Sequence, residues 1–423
     1  MIFRHLVTLG TLGLLYAGCS STDPSGKSSG AASTPSPSDA STSAPGTETG
    51  GAGSTIHGTG STTKSPGSVS TTRAPATVTV GPTVPPTSNC PGKRLGQYTW
   101  GTQLWRQGER ALSDFFATSD GKEWGCGDVT INIGDFSAPR TIAYSGDIVP
   151  FIQRYRQSSQ NYESVVWLSY GDVVSGDGSL METFVDTFFQ WVGTITADVA
   201  ATLGTIGLSF DVEHMPAAST KSALQKAQSL KSSTNFAPGK LLIQHTMEGK
   251  PNPDGTDYVM KYADSALVML YRNYMESPIF KPDSNILSRA QYFLQDQCVY
   301  CLDDAYAAAN YKAKLTIMVE ASCSPSDYCA KISFCAHDAA GEGATYMWNT
   351  LQDLESGMLS SGLVTPAQFS RLFNPLTTFA VHDWSWFRCY EPLTASSSTS
   401  QCKNYMSAAE TCRNTLGPVA ISP

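Results

Sequence analysis

The stretch TIGLSFDVEHM, residues 205–215, joins a run of apolar and β-branched residues to an aspartate and a glutamate two positions apart. In a strand, alternate side chains point to opposite faces. Ser209, Asp211 and Glu213 then share one face, and the apolar residues between them share the other. The pattern predicts a strand with an apolar face packed on helices and a polar face that looks into an interior. The alternative is that Asp211 and Glu213 are ordinary polar residues at a strand end.

Similar segments recur along the chain and alternate with helix-like segments such as METFVDTFFQWVGTITADVAATL. The eight candidate strands are RLGQYTWG (from about 95), DVTINIGD (128–135), SVVWLSYGD (164–172), TIGLSFDVE (205–213), KLLIQHTME (240–248), SALVMLYRN (265–273), KLTIMVEAS (314–322) and TTFAVHDWSW (377–386). Strands that alternate with helices favour a parallel sheet. Eight such units predict an α/β fold, a closed (β/α)8 TIM barrel.

Most of the candidate strands end in a polar residue. These residues are Asp135, Asp172, Glu213, Glu248, Arg272, Glu320 and Asp383. The C-terminal ends of barrel strands build the active site, so we expect these side chains to converge on one mouth. Exit of each strand into solvent explains any single polar end well, but it explains the whole series less well.

The N-terminal part of the chain predicts export. Arg4 and His5 precede an apolar stretch of about a dozen residues that is too short for a membrane span, so residues 1–19 are interpreted as a signal peptide. YAGC also resembles a bacterial lipidation site, which leaves a lipid on Cys19 as an alternative. Residues 20–88, almost entirely Ser, Thr, Pro, Gly and Ala, predict a disordered stalk like an O-glycosylated one. Residues 89–423 then form a single barrel domain with a C-terminal tail.

The cysteines and the charge narrow the class of protein further. Of eleven cysteines, ten remain without Cys19, and an even number behind a signal peptide predicts disulfides. Cys402 and Cys412 in the tail are expected to bridge to each other or back to the barrel. CVYC at 298–301 leaves redox and zinc alternatives open. A net charge of −8 without a Lys/Arg cluster argues against nucleic acid and anionic membranes as partners. We expect a secreted, extracellular monomer without a transmembrane helix in the mature chain, and the stalk also suits cell-surface or wall association.

The fourth strand resembles the DGxDxDxE signature of glycoside hydrolase family 18, the chitinases and chitinase-like lectins. Gly207, Asp211 and Glu213 match it, while Ile206 and Ser209 stand where the family has aspartates.

Three further segments are similar to motifs of that family. SYGD at 169–172 keeps Ser169 and Gly171 of the third-strand SxGG, and MLYR at 269–272 keeps Met269 and Tyr271 of the sixth-strand MxYD, with Arg272 in the last position. The tryptophan of the last strand, which floors the sugar site in that family, would be Trp384 or Trp386.

The resemblance implies a substrate-assisted cleavage of chitin-like polysaccharides or oligosaccharides, without a cofactor or a metal. Glu213 would protonate the glycosidic oxygen, and the 2-acetamido carbonyl of the substrate would attack the anomeric carbon. Asp211 would orient the acetamido group, Tyr271 would hydrogen-bond it, and the tryptophan would stack under the sugar ring.

The departures from the family pattern support a second hypothesis, an inactive carbohydrate-binding relative. The inner aspartate that Ser209 replaces normally shares a proton with the residue matching Asp211. Ser209 can still donate a hydrogen bond to Asp211, but Arg272 adds a cation that would lower the pKa of a nearby carboxyl group.

Two other enzyme hypotheses stay open. Glu213 and Glu320, at the ends of the fourth and seventh strands, could form the carboxylate pair of a retaining glycosidase, although Val212 stands where such enzymes usually carry Asn. A metal site is the other, and it lacks an HxH or HExxH motif. Its candidate ligands are His214, His245, Glu248, His337, Asp338, His382 and Asp383.

Overall fold

The structure, a computed structural model, describes residues 90–134, 138–171, 178–212, 216–248, 253–273, 275, 285–322, 333–335 and 343–389. The predicted signal peptide, the predicted stalk and the C-terminal tail lie outside these residues. Among the helices of the described part, none is long and apolar enough to cross a membrane.

Eight parallel strands form a closed barrel in sequence order, which confirms the predicted (β/α)8 fold. The strands are β1 (Leu95–Thr99), β2 (Val129–Gly134), β3 (Val165–Gly171), β4 (Thr205–Asp211), β5 (Leu241–Glu248), β6 (Ser265–Met269), β7 (Lys314–Glu320) and β8 (Phe379–His382). Each pairs with its neighbours in the chain, and β8 pairs with β1 to close the barrel.

The helices pack outside the barrel. They are α1 (Ala111–Phe115), α2 (Ser119–Trp124), α3 (Ser145–Ser159), α4 (Gly178–Gly193), α5 (Ala197–Leu203), α6 (Ala217–Lys231), α7 (Pro253–Tyr262), α8 (Ile286–Tyr292, followed by a π-helical turn Phe293–Gln297), α9 (Gly343–Ser360), α10 (Pro366–Leu372) and α11 (Trp384–Phe387). Single 3-10 turns lie at Thr102–Leu104 and Asp304–Tyr306.

Several strands are shorter than the sequence predicts, and β6 and β8 are examples. β6 ends at Met269, so Tyr271 and Arg272 follow the strand. β8 ends at His382, and Trp384 and Trp386 belong to α11. Asp383 ends the strand locally because its carboxylate accepts the Ser385 N–H at 2.9 Å and caps the helix.

Alternation along each strand divides the core into two regions. Side chains such as Leu168 and Phe210 point outward into the large apolar layer between barrel and helices. The interior holds a smaller set, the inner cluster, formed by Tyr98, Leu267, Met269, Met318 and Ala380 with Trp100 and Tyr271 packed against it.

Trp167 fills the lower barrel, where its indole nitrogen donates to Asp128 at 3.0 Å. A Cβ at Gly207 would lie 2.2 Å from the Trp167 ring, so the glycine that matches the family signature makes room for this side chain.

Disulfides form as the even cysteine count predicts. Cys90 bonds to Cys126, and Cys298 bonds to Cys301 within the CVYC motif. Cys335 and Cys389 are also disulfide-bonded. Cys298 and Cys301 are buried, and burial removes the exposure that a redox-active pair needs. The motif therefore acts as a structural bridge.

Candidate active site

The C-terminal ends of the strands form a mouth with Asp211 at its floor. Asp211 ends β4 and is only 7% exposed. The Tyr98 hydroxyl, from β1, donates to its Oδ2 at 2.7 Å and lies 2.7 Å from the Ser169 hydroxyl of β3. Burial, together with the Asp211 charge, raises the pKa of Tyr98 well above its ordinary value. Tyr98 therefore stays a neutral donor to the carboxylate at any physiological pH.

Gly171 is required for this arrangement. A Cβ at this position would lie 2.5 Å from the Asp211 carbonyl oxygen, 2.8 Å from its Cβ and 3.0 Å from the Trp100 ring. Real Cβ atoms do not approach other heavy atoms so closely. The glycine thus lets β3 and β4 and the Trp100 ring close together around Asp211.

Ser209 does not contact Asp211 in the way the sequence suggested. Its hydroxyl donates to Gln244 Oε1 at 2.9 Å, and Gln244 in turn donates to Ser265 at 3.1 Å. One hydroxyl proton serves one strong hydrogen bond, so Ser209 does not donate to Asp211, whereas Tyr98 does. Ser209 therefore belongs to a neutral hydrogen-bond chain below the mouth.

Glu320 and His382 form a buried pair on the opposite side of the mouth. They face each other across β7 and β8, with Nδ1 of His382 2.8 Å from Oε2 of Glu320. The other Glu320 oxygen accepts the Ser322 N–H at 2.7 Å. Burial alone would lower the pKa of His382, but the Glu320 carboxylate outweighs it, and the resulting pKa is about 9. His382 is therefore protonated at neutral pH and donates to Glu320.

Aromatic rings surround His382. The ring of Tyr271 lies nearly parallel to it, with centroids 6.2 Å apart and planes at 21°. The rings of Tyr98 and Trp100 meet it edge-on at 5.4 and 6.4 Å. Tyr271 thus lies at the mouth, packed against the inner cluster that contains Met269. Arg272 turns back to donate to the carbonyl oxygen of Tyr271 at 2.6 Å.

Neither candidate tryptophan of the last strand lies in the inner cluster. Trp384 is fully buried in the outer layer, where it packs edge-on against Phe115 at 5.5 Å. Trp386 is half-buried against the same layer. A fully buried indole cannot stack on a ligand, and the Trp386 ring packs on the outer layer and not on the inner cluster, whereas Trp100 packs on the inner cluster. Trp100 lies two positions after Tyr98 in QYTWG, and this spacing was the signal for a shared inward face.

Some of the remaining candidate catalytic and metal-ligating residues lie in the described part of the chain, and the others lie outside it. Glu213, the predicted acid, lies outside the described residues, as do the candidates His214, His337 and Asp338. His245 lies on the outer face of β5, against Phe210 at 6.2 Å, whereas His382 points inward. Burial lowers the pKa of His245 to about 4. These two histidines therefore do not converge, and the described residues contain no group of three that could hold a metal ion.

Comparisons with known proteins find similarity only at the level of structure. No protein-family model matches the chain, and no curated protein matches it significantly. The catalytic domain of a hyperthermophilic chitinase from Pyrococcus furiosus is similar, with 12% identity, a TM-score of 0.40, and coverage of 78% of this chain and 98% of that one. A family 18 chitinase from Pseudoalteromonas aurantia shows 9% identity and a TM-score of 0.38, over 76% of this chain and 100% of that one.

A tryptophan synthase α-subunit mutant from Pyrococcus furiosus is also similar, with 10% identity and a TM-score of 0.34, over 76% of this chain and 95% of that one. Since proteins with different activities appear together at these low scores, the comparisons carry no argument about activity. The residues at the mouth of the barrel are therefore the basis for inferring function.

Proposed function

We propose that the chain is a secreted glycoside hydrolase of the chitinase type, which cleaves β-1,4-linked N-acetylglucosamine polymers by substrate-assisted retaining catalysis. The observation that carries this proposal is the buried Asp211 carboxylate, which Tyr98 holds by a 2.7 Å hydrogen bond at an aromatic-lined barrel mouth. A fixed, buried carboxylate is suited to orient an acetamido group and to stabilise the positive charge that develops on it.

The proposed reaction has two steps. Glu213, which the sequence assigns as the acid, gives its proton to the glycosidic oxygen as the bond to the anomeric carbon breaks. The acetamido carbonyl oxygen forms a bond to that carbon, and Asp211 stabilises the resulting oxazolinium ion. Water then attacks the anomeric carbon, returns a proton to Glu213 and restores the acetamido group, so that configuration is retained.

Binding would use the rings at the mouth. Trp100 is half-buried, contacts the inner cluster and lies over Gly171 beside Asp211. We assign sugar stacking to Trp100 and acetamido hydrogen bonding to Tyr271, because aromatic faces pack well on the apolar faces of sugar rings.

Hydrolysis of N-acetylglucosamine oligomers by the full-length secreted chain tests the proposal. Turnover should fall by several orders of magnitude in Glu213→Gln and Asp211→Asn, while oligomer binding is retained. The matched control is Glu163→Gln, an exposed carboxylate that should leave turnover unchanged. Equal turnover in wild type and Glu213→Gln would contradict the assigned acid.

The second candidate is an inactive carbohydrate-binding protein, favoured by the Ser209–Gln244 hydrogen bond, because the position that carries the inner aspartate in family 18 belongs here to a neutral hydrogen-bond chain. Oligomer binding without turnover in the wild type would select it.

A two-carboxylate mechanism with Glu320 as nucleophile is less well supported, because both Glu320 oxygens are already engaged. Labelling of Glu320 by a 2-fluoro sugar, seen by mass spectrometry, would establish that mechanism instead.

A further inference from the structure

The proposed reaction assigns no task to the His382–Glu320 pair. Both side chains lie inside the barrel, with 8% and 2% exposure. Burying an ion pair costs desolvation that its mutual attraction often only balances, so such a pair is weak evidence for stabilisation. Glu320 and His382 end β7 and β8 at the mouth, and His382 interacts electrostatically with Asp211, which indicates another purpose for the pair.

Charged and titratable groups face His382 from several elements. Glu320 contributes from β7, Tyr98 from β1, Tyr271 from the segment after β6, and Asp211 from β4, while Asp383 is adjacent in the chain. Three of these five groups are carboxylates, and all three favour the protonated imidazole. Nε2 of His382 has no hydrogen-bond partner among the described residues, so the cation is held by Glu320 and by the field of the other two.

Tyr98 connects the pair to Asp211. Its ring edge meets the His382 ring, and its hydroxyl donates to the Asp211 carboxylate. The imidazolium and the carboxylate are thus on two sides of one side chain, in an interior of low dielectric constant where charges interact strongly.

We propose that His382 and Glu320 form one electrostatic unit with Asp211, in which the imidazolium keeps the Asp211 carboxylate ionised and ready to stabilise the oxazolinium ion. This rests on the proposed function, because Asp211 has that task only there. In family 18 an inner aspartate shares a proton with the residue at this position. In this chain Ser209 stands at that position. The His382 cation, on the other side of Tyr98, favours the charged form of Asp211 instead. His382 and Glu320 are positioning residues, since they act through Asp211.

The coupling can be measured without any turnover. The imidazole pKa of His382 is followed by NMR in the full-length chain with isotope-labelled histidine, and its signal is assigned by its loss in His382→Gln. We expect a pKa of about 9 in the wild type. In Glu320→Gln it should fall below the ordinary value of about 6.5, because burial then dominates.

Asp211→Asn is the deciding variant. Since coupling between two sites is reciprocal, loss of the Asp211 charge should lower the His382 pKa by about half a unit or more. Asp186→Asn, which removes an exposed carboxylate on α4, is the matched control and should cause no shift. If Asp211→Asn does not fold, Asp211→Ser removes the same charge. An unchanged His382 pKa on loss of the Asp211 charge would overturn the proposal.

The pH profile of turnover separates this inference from the proposed function. If oligomers are hydrolysed, the acid limb of kcat/KM, on which Asp211 takes up a proton, should move to higher pH in His382→Gln than in the wild type, because the cation that favours the ionised carboxylate is lost. An active enzyme with the same limb in both proteins would overturn the inference and leave the proposed function intact. A coupled His382 in a protein without turnover would support the electrostatic unit and count against the hydrolase.

Discussion

Trp100 and Trp384 differ in what surrounds them, and this difference predicts different effects of the same substitution. Trp100→Ala removes a half-buried ring at the mouth, so oligomer binding should weaken at least about ten-fold, or about 1.4 kcal/mol, with little change in stability. Trp384→Ala empties a fully buried site in the outer layer and should cost about 3–5 kcal/mol of unfolding free energy. Titration calorimetry and urea unfolding of both variants distinguish the two effects. Weakened binding only in folded Trp384→Ala would reverse the assignment.

Gly171 offers a second test at the residue scale. Gly171→Ala would press a methyl group against the Asp211 backbone and the Trp100 ring, so the site should distort and turnover should fall at least ten-fold. Gly146→Ala is the matched control, because a Cβ there meets nothing within 4 Å and the position lies in the first turn of α3. The control should be neutral or stabilise by up to about 1 kcal/mol. Oligomer turnover and thermal unfolding of both variants would be compared, and wild-type turnover in Gly171→Ala would contradict the close packing at the mouth.

At the scale of elements, the two disulfides constrain very different lengths of chain. The Cys90–Cys126 bond closes a loop with a sequence separation of 36 and ties the segment before β1 to the segment before β2, whereas Cys298–Cys301 spans only three positions. On the chain-entropy view, replacing both cysteines by alanine should cost about 4 kcal/mol for the long loop and about 1–2 kcal/mol for the short one. Urea unfolding of the two double variants measures this order. A larger loss for the short loop would show that packing around the buried CVYC bridge, and not loop length, sets its contribution.

At the scale of the whole molecule, two buried histidines predict how stability depends on pH. His245 has a folded-state pKa of about 4, below the ordinary 6.5, so the unfolded state binds more protons between these values. Stability should therefore fall as the pH decreases from 6.5 to 4. His382 has a folded-state pKa of about 9, so its contribution is present below pH 6.5 and is lost as the pH rises to 9. Each limb should reach up to about 3 kcal/mol.

Urea unfolding between pH 4 and 9.5 checks both limbs of this bell-shaped curve. His245→Gln should flatten the acid limb alone, and His382→Gln should flatten the alkaline limb alone. A curve that keeps both limbs in both variants would assign the pH dependence to other groups.

The fold was accessible from the sequence because it depends on patterns that repeat. Segments such as SVVWLSYGD are rich in β-branched and aromatic residues, which predict a strand. Eight such strands in alternation with helices are compatible with few arrangements other than a closed barrel. Boundaries were less accurate. HDWSWF continues the apolar character of β8, but the Asp383 cap ends the strand and begins a helix, and a cap is a local event that a hydrophobic pattern does not reveal.

The sequence by itself determined the inward face of β4 that carries Asp211, and the place of Ser169 and Gly171 on β3, because a strand's alternation and a barrel's strand order are encoded locally. Only the tertiary structure decided that Tyr98 donates to Asp211, that Ser209 bonds to Gln244, and that Glu320 pairs with His382. Those contacts join residues 35 to 113 positions apart. They depend on the register of the closed barrel and on which side chain fills the space beside each carboxylate. Neither the register nor the neighbouring side chain can be predicted from a single segment of the sequence.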